Sequence, residues 1–259
     1  MLRLIAIPAP VAGTLIVALV VTLSIIGLRY FRRRWPQEQL KESNDVSDPI
    51  YSMVGVLYSV LLAFMVVVVW EQFTKAQMHT ELEASAIGDL LRETQSFPPA
   101  QRVLIHDRLI AYAQDVVDRE WPLMSRGTEI EIESPAFRAL WSSYVAFKPE
   151  GNEEVAFYTD SIARLNEVGT NRKERILCSA SELPGILWVL LIGGSVISIM
   201  FTYLFGTANH TVHTLIVTML SALLSFVLFM IFSLEHPYSG SISVKPTSFQ
   251  HVIAAHARE

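Results

Sequence analysis

The chain has 259 residues, of which 51% are hydrophobic and 17% charged, against about 25% charged in an ordinary soluble domain. A net charge of −5, with acidic and basic residues interspersed, excludes the basic footprint of a nucleic-acid-binding protein. The single cysteine, Cys178, excludes an internal disulfide and a thiolate-rich metal centre. The missing charge is concentrated in four blocks, each long enough to cross a bilayer core, which takes about 20 apolar helical residues.

The first block, residues 4–28, has no ionisable side chain and ends at Arg29, with Arg32, Arg33 and Arg34 behind it. It is longer than a signal-peptide core, and its basic cluster follows the apolar run, so it reads as a retained helix. Pro8 and Pro10 sit at its start, where a missing N–H does no harm. Residues 29–49 form a basic linker, which argues that this link is cytoplasmic. Arg3, Lys75, Arg172, Lys173, Arg175 and Lys245 flank the other membrane ends in similar number, so the charge count leaves the orientation open. The second span, 50–72, is uncharged as far as Trp70 and closes on Glu71.

Residues 73–182 read as a helical non-membrane domain. Phe73, Met78, Leu82, Ile87, Leu90 and Leu91 keep helical spacing, so the second membrane helix is expected to run on until Pro98-Pro99. A second helix carries Val103, Leu104, Leu109, Ile110, Ala113, Val116 and Val117 along one stripe and ends near Trp121-Pro122. Ser134-Pro135 is an N-cap and N1 pair for a third. Asn152 is a candidate cap for a fourth, with Val155, Tyr158, Ile162, Leu165 and Val168, and this helix has the sequence to run on into the third span. Residues 129–133 alternate like a short strand or a loop. The third span, 183–206, has Trp188 and Tyr203 at interfacial positions and Gly193-Gly194-Ser195 inside, where small residues let backbones approach. The fourth, 211–234, is broken only by His213 and contains Ser221-Ala222. A tail, 235–259, closes the chain. Apart from Glu71 at the close of the second, no Asp, Glu, Lys or Arg lies inside any span, which argues against a proton-coupled pump.

No catalytic constellation, phosphate loop or zinc signature occurs, and no enzyme activity, cofactor or metal is expected. His210 and His213, three apart beside Asn209, come nearest to metal-ligand spacing and are read as interfacial histidines. His79 and Glu83 read as a solvated helix face, and Asp115, Asp118 and Glu120 as a charged surface. Glu71, Glu81 and Glu83 suggest an acidic collar beyond the second span, either solvent-facing or lining a vestibule.

The second span reads Gly-Val-Leu-Tyr-Ser-Val-Leu-Leu-Ala-Phe over residues 55–64, followed by Trp70-Glu71-Gln72-Phe73. This is similar to the pore-lining second helix of bestrophins. The whole chain resembles the bacterial bestrophin-like family (domain of unknown function 4239) through Trp70-Glu71, Ala76, Glu83-Ala84, Glu120-Trp121-Pro122 and Pro237-Tyr238-Ser239-Gly240. The resemblance implies a homo-oligomer, a pentamer in bestrophins, in a bacterial inner membrane, conducting small inorganic anions such as chloride. It also implies a cytosolic domain, against the signal of the basic linker. Carried over, the three-residue apolar neck falls on Val56, Val60 and Phe64, with Trp70 and Glu71 as vestibule candidates. The alternative for that row is packing against the first or fourth helix. Two departures stand out. Residues 65–69 are wholly apolar where bacterial bestrophins have polar side chains. Residues 241–246, Ser-Ile-Ser-Val-Lys-Pro, replace the acidic calcium clasp of animal bestrophins, so no calcium gating is expected there.

The fold expected is therefore an all-α, bestrophin-like integral membrane protein with four transmembrane helices and a helical domain between the second and third. The function expected is an oligomeric anion channel lined by the second helix. The competing readings are a non-conducting sensor or scaffold whose helical domain binds a partner, and an interfacial enzyme built on Asn209, His210 and His213.

Overall fold

Four helices are long and apolar enough to cross a membrane. In the computed structural model, residues 9–35, 40–41, 44–132, 134–207 and 209–256 are described, so residues 4–8 of the expected first span lie outside them. The spans are α1 (Ala9–Arg34), the first part of α2 (Asn44–Glu93), α7 (Gly185–Tyr203) and α8 (His210–Glu235). The remaining α-helices are α3 (Pro99–Asp115), α4 (Trp121–Ser125), α5 (Pro135–Val145), α6 (Asn152–Ala180) and α9 (Thr247–His256). Thr94–Ser96 form a 3₁₀ turn and Val116–Glu120 a π turn. Among the described residues no strand occurs, and 129–132 are irregular.

The chain divides into a membrane unit, residues 3–71 and 182–235, and a helical unit, 72–181 and 236–259. Within the membrane unit, glycines admit aromatic rings. A Cβ on Gly13 would lie 2.9 Å from the Phe229 ring, and one on Gly27 3.0 Å from the Tyr203 hydroxyl. A Cβ on Gly194 would collide with the Tyr58 ring, whereas one on Gly193 would meet nothing within 4 Å. Only the second glycine of that expected packing pair is therefore used. Tyr58 donates its hydroxyl to the Leu191 carbonyl at 2.6 Å and lies 2.6 Å from Ser195 Oγ, and Tyr203 donates to the Ser24 carbonyl at 2.8 Å. Other hydroxyls in the spans turn back on their own helix: Thr22 to Ala18, Ser24 to Val20, Ser221 to Val217 and Ser225 to Ser221. In hydrocarbon no water stands by to accept these bonds, so these four hydroxyls are satisfied locally, whereas Ser198 Oγ is buried without a hydrogen-bond partner.

Two links close this unit. Asn44 exchanges hydrogen bonds with the Gly206 backbone, 3.1 Å each way, and a side chain on Gly206 would strike the backbone of residues 40–41. Buried Glu235, at the end of α8, accepts from the Leu183 N–H at 2.7 Å and from Trp188 Nε1 at 3.1 Å. α6 does not continue into α7 as expected; residues 181–184 are non-helical, and Pro184 has no N–H to extend the ladder.

α2 runs without interruption from Asn44 to Glu93, longer than the expected second span, and stops before Pro98-Pro99 as expected. Ser134 caps α5, its Oγ accepting from the Phe137 N–H at 3.0 Å. α6 is capped by Gly151, whose φ of +93° suits glycine, so Asn152 is the first helical residue rather than the cap. The helical unit buries Leu90, Leu109, Tyr112, Leu140, Tyr144 and Leu165. Residues 236–253 do not stand apart as a tail: Tyr238, Val244 and Phe249 join this core.

Gly194→Leu is expected to overpack the Tyr58 contact and cost about 1–3 kcal/mol, while Gly193→Ala stays neutral or better. Thermal unfolding in mild detergent compares them, and equal midpoints would refute the tight Gly194–Tyr58 contact.

Candidate pore-lining face and the buried ionic cluster

α2 has two faces. Tyr58, Leu62, Met65 and Val69 are buried, at steps of three and four that keep them on one side. Val56, Val60 and Phe64 stack at steps of four on the opposite side and are 62%, 48% and 67% exposed. The row is therefore about half or more uncovered by the described residues. Met53, Val67 and Trp70 extend the exposed apolar strip, and Glu71 is exposed at its end. A single-chain face of this kind must meet lipid, another subunit or a pore.

In the helical unit, α2 changes chemistry while keeping its buried phase. Ala76, Thr80, Glu83, Ile87 and Leu90 are all buried. Glu83 is fully buried, not part of a solvated face with His79; His79 Nδ1 instead faces Asn171 Oδ1 at 3.0 Å. The acidic collar is thus reduced to exposed Glu71 and Glu81. Glu120 is likewise buried rather than surface-exposed. Steps of four from Tyr112 to Val116 to Glu120 would drift about 40° each in an α-helix. The wider π turn takes up that drift and keeps Glu120 over the core.

Two carboxylates and two guanidiniums meet here. Arg175 binds Glu83 through Nε at 2.6 Å and Nη2 at 3.2 Å, and Nη2 also reaches Glu120 at 2.9 Å. Arg172 Nη1 donates to the same Glu120 oxygen at 2.8 Å, while its Nε and Nη2 hold the carbonyls of Ile132 and Glu131 at 2.8 and 3.2 Å. Tyr112 donates its hydroxyl to Glu83 at 2.5 Å. The rings of Tyr112 and Phe137 lie against Arg172, and those of Trp121 and Phe249 against Arg175. Burial and the Glu83 charge push the Tyr112 phenol well above its ordinary range. Burial pulls the Arg175 guanidinium down, but Glu83 and Glu120 outweigh it and hold it well above its usual value.

The same cluster gathers most of the motifs of the family resemblance. Trp121 packs edge-on against Tyr238, 5.4 Å between centroids. Tyr238 donates to the Ala76 carbonyl at 3.0 Å, Ser239 to the Ser125 carbonyl at 2.9 Å, and Gly240 turns the chain at φ +77°. Trp70 and Glu71 belong to the membrane unit and are exposed there. Helical phase carries the signal for the cluster: Glu83 falls on the apolar stripe of α2, and Arg172 and Arg175 on the Leu165–Val168 stripe of α6.

At the membrane boundary, Arg32 bonds to Nδ1 of both His210 and His213. His213 Nε2 lies 2.8 Å from the Thr202 carbonyl. A guanidinium thus occupies the position between the imidazoles, which opposes a metal ion there. Among the described residues no group of three His, Cys, Asp or Glu is placed to hold a metal.

Glu120→Gln is expected to cost about 3–5 kcal/mol, because it leaves two buried guanidiniums with one carboxylate. Asp115→Asn breaks only the partly exposed Arg119 pair and is expected to cost about 0.5 kcal/mol or less. Helix content followed through denaturant in mild detergent separates the two, and equal losses would refute the ranking.

The Bestrophin-like domain model matches residues 18–249. Two crystal structures of single-substitution variants of a bacterial bestrophin homologue from Klebsiella pneumoniae share the fold. One has a TM-score of 0.67 at 14% identity, covering 93% of this chain and 96% of that one. The other has a TM-score of 0.65 at 15% identity, covering 95% and 99%. A crystal structure described only as a membrane protein variant aligns with a TM-score of 0.67 at 14% identity, covering 93% and 96%. No match was found among curated proteins. With a family match spanning nearly the whole chain, and with the four membrane helices and the helical domain already in place, this protein belongs to the bestrophin-like family.

Proposed function

We propose that the protein forms a homo-oligomeric channel for small inorganic anions such as chloride, in a bacterial inner membrane. In this reading α2 lines the pore and Val56, Val60 and Phe64 form its neck. The observation that carries it is the outward row: three apolar side chains, one helical turn apart, left uncovered by the chain's own packing. Copies of that row around an axis make stacked apolar rings that gate by dewetting. Membership of the bestrophin-like family supports the same reading. Trp70 and Glu71, exposed beyond the row, are assigned to the vestibule.

The wholly apolar stretch 65–69 favours a second reading, a lipid-facing α2 in a non-conducting sensor or scaffold. Planar-bilayer recording of reconstituted protein in asymmetric chloride decides between them. Wild type should give discrete currents reversing toward the chloride potential, with a larger unitary conductance in Phe64→Ala. An unchanged conductance in the variant would remove Phe64 from the neck. Silence from both, in folded and inserted protein, would favour the second reading.

A further inference from the structure

The last turn of α1 and the first turn of α8 meet at one boundary of the membrane unit and enclose an open cleft of about 650 Å³. Arg29, Arg32 and Arg33 line it together with His210, Thr211 and Thr214. Among the described residues, none of the three arginines forms an ion pair with a carboxylate. The partners of Arg32 are the two imidazoles, and its Nε is buried without a hydrogen-bond partner. The first turn of α8, the positive end of its dipole, borders the cleft through His210 and Thr211, although Asn209 already accepts from the N–H groups of Thr211 and Val212 at 3.0 and 3.1 Å. Basic side chains in the last turn of α1 complement that helix's own dipole. Three guanidiniums without a carboxylate exceed what that purpose requires.

We propose that this cleft binds the phosphate headgroup of an anionic membrane phospholipid. Guanidinium forks match phosphate oxygens in a bidentate way, and basic pockets between membrane helices are the usual form of such sites. A lipid fits better than a free anion because the wall of the cleft turns apolar toward the membrane. Leu215 lines it there and is 56% exposed, which gives the first methylenes of an acyl chain a surface to lie on. The assignment does not depend on conduction.

The test is native mass spectrometry of the detergent-purified protein, titrated with an equal mixture of dioleoyl-phosphatidylglycerol and dioleoyl-phosphatidylcholine. Wild type should retain phosphatidylglycerol over phosphatidylcholine by about tenfold or more, from about 1 kcal/mol for each basic residue near the headgroup. Arg29→Gln/Arg33→Gln, which spares Arg32 and its histidine contacts, should bring the ratio close to one, and Arg29→Lys/Arg33→Lys should keep most of it. Equal retention of both lipids by wild type, or an unchanged preference in the glutamine variant, would overturn the site. Retention of inorganic phosphate by wild type with no retention of either lipid would make it a free-anion site and overturn the lipid assignment.

Discussion

Glu83, Glu120, Arg172 and Arg175 are withdrawn from water together, and the helical unit is arranged around that constraint. Stripping a carboxylate or a guanidinium of its water costs several kcal/mol, which is offset only when every donor meets an acceptor. Here the charges cancel, two backbone carbonyls take the donors of Arg172 that the carboxylates do not, and a tyrosine hydroxyl completes Glu83. Such a cluster contributes less net stability than an apolar core of the same volume. What it penalises is any arrangement that leaves one charge alone. A slip of α6 by one residue would carry both arginines off the buried face, so the cluster selects the register of α2, α3 and α6.

The residues around the cluster follow from its geometry. Glu120 reaches the core only because the helix widens into a π turn. Trp121, the next residue, then lies between Tyr238 and Phe249, drawing the C-terminal segment onto the helical unit. Tyr238 in turn donates to the Ala76 carbonyl of α2, and its hydroxyl oxygen lies 3.3 Å from Thr80 Oγ1. Motifs far apart in the chain are therefore parts of one packed contact.

The membrane unit solves a different problem. With no water to satisfy polar groups, most of its serine and threonine hydroxyls bond along their own helices, and three aromatic rings enter at glycines on facing helices. These devices cover one side of α2. They leave the other side, with Val56, Val60 and Phe64, about half or more exposed within a single chain. Among the described residues, the arginines at the end of α1 form no ion pair with a carboxylate.

The four spans, the run-on of α2, the Ser134 cap and the all-α character were legible in the sequence, because each depends on local rules: the length of apolar runs, helical period and proline chemistry. The bestrophin-like motifs were legible as well, though not their purpose. Tertiary structure decided what local rules do not carry. Glu83 and Glu120 read as solvated because carboxylates usually are, and only partners that lie 92 and 52 residues away, Arg175 and Arg172, make their burial tolerable. Asn152 lost the cap to Gly151 because a positive φ was needed at that turn. α6 and α7 separated because Pro184 cannot extend the helix. Chain pattern determined which segments are helices and which cross the membrane. Which face of each helix is hidden was decided by long-range pairing of charge, ring and glycine.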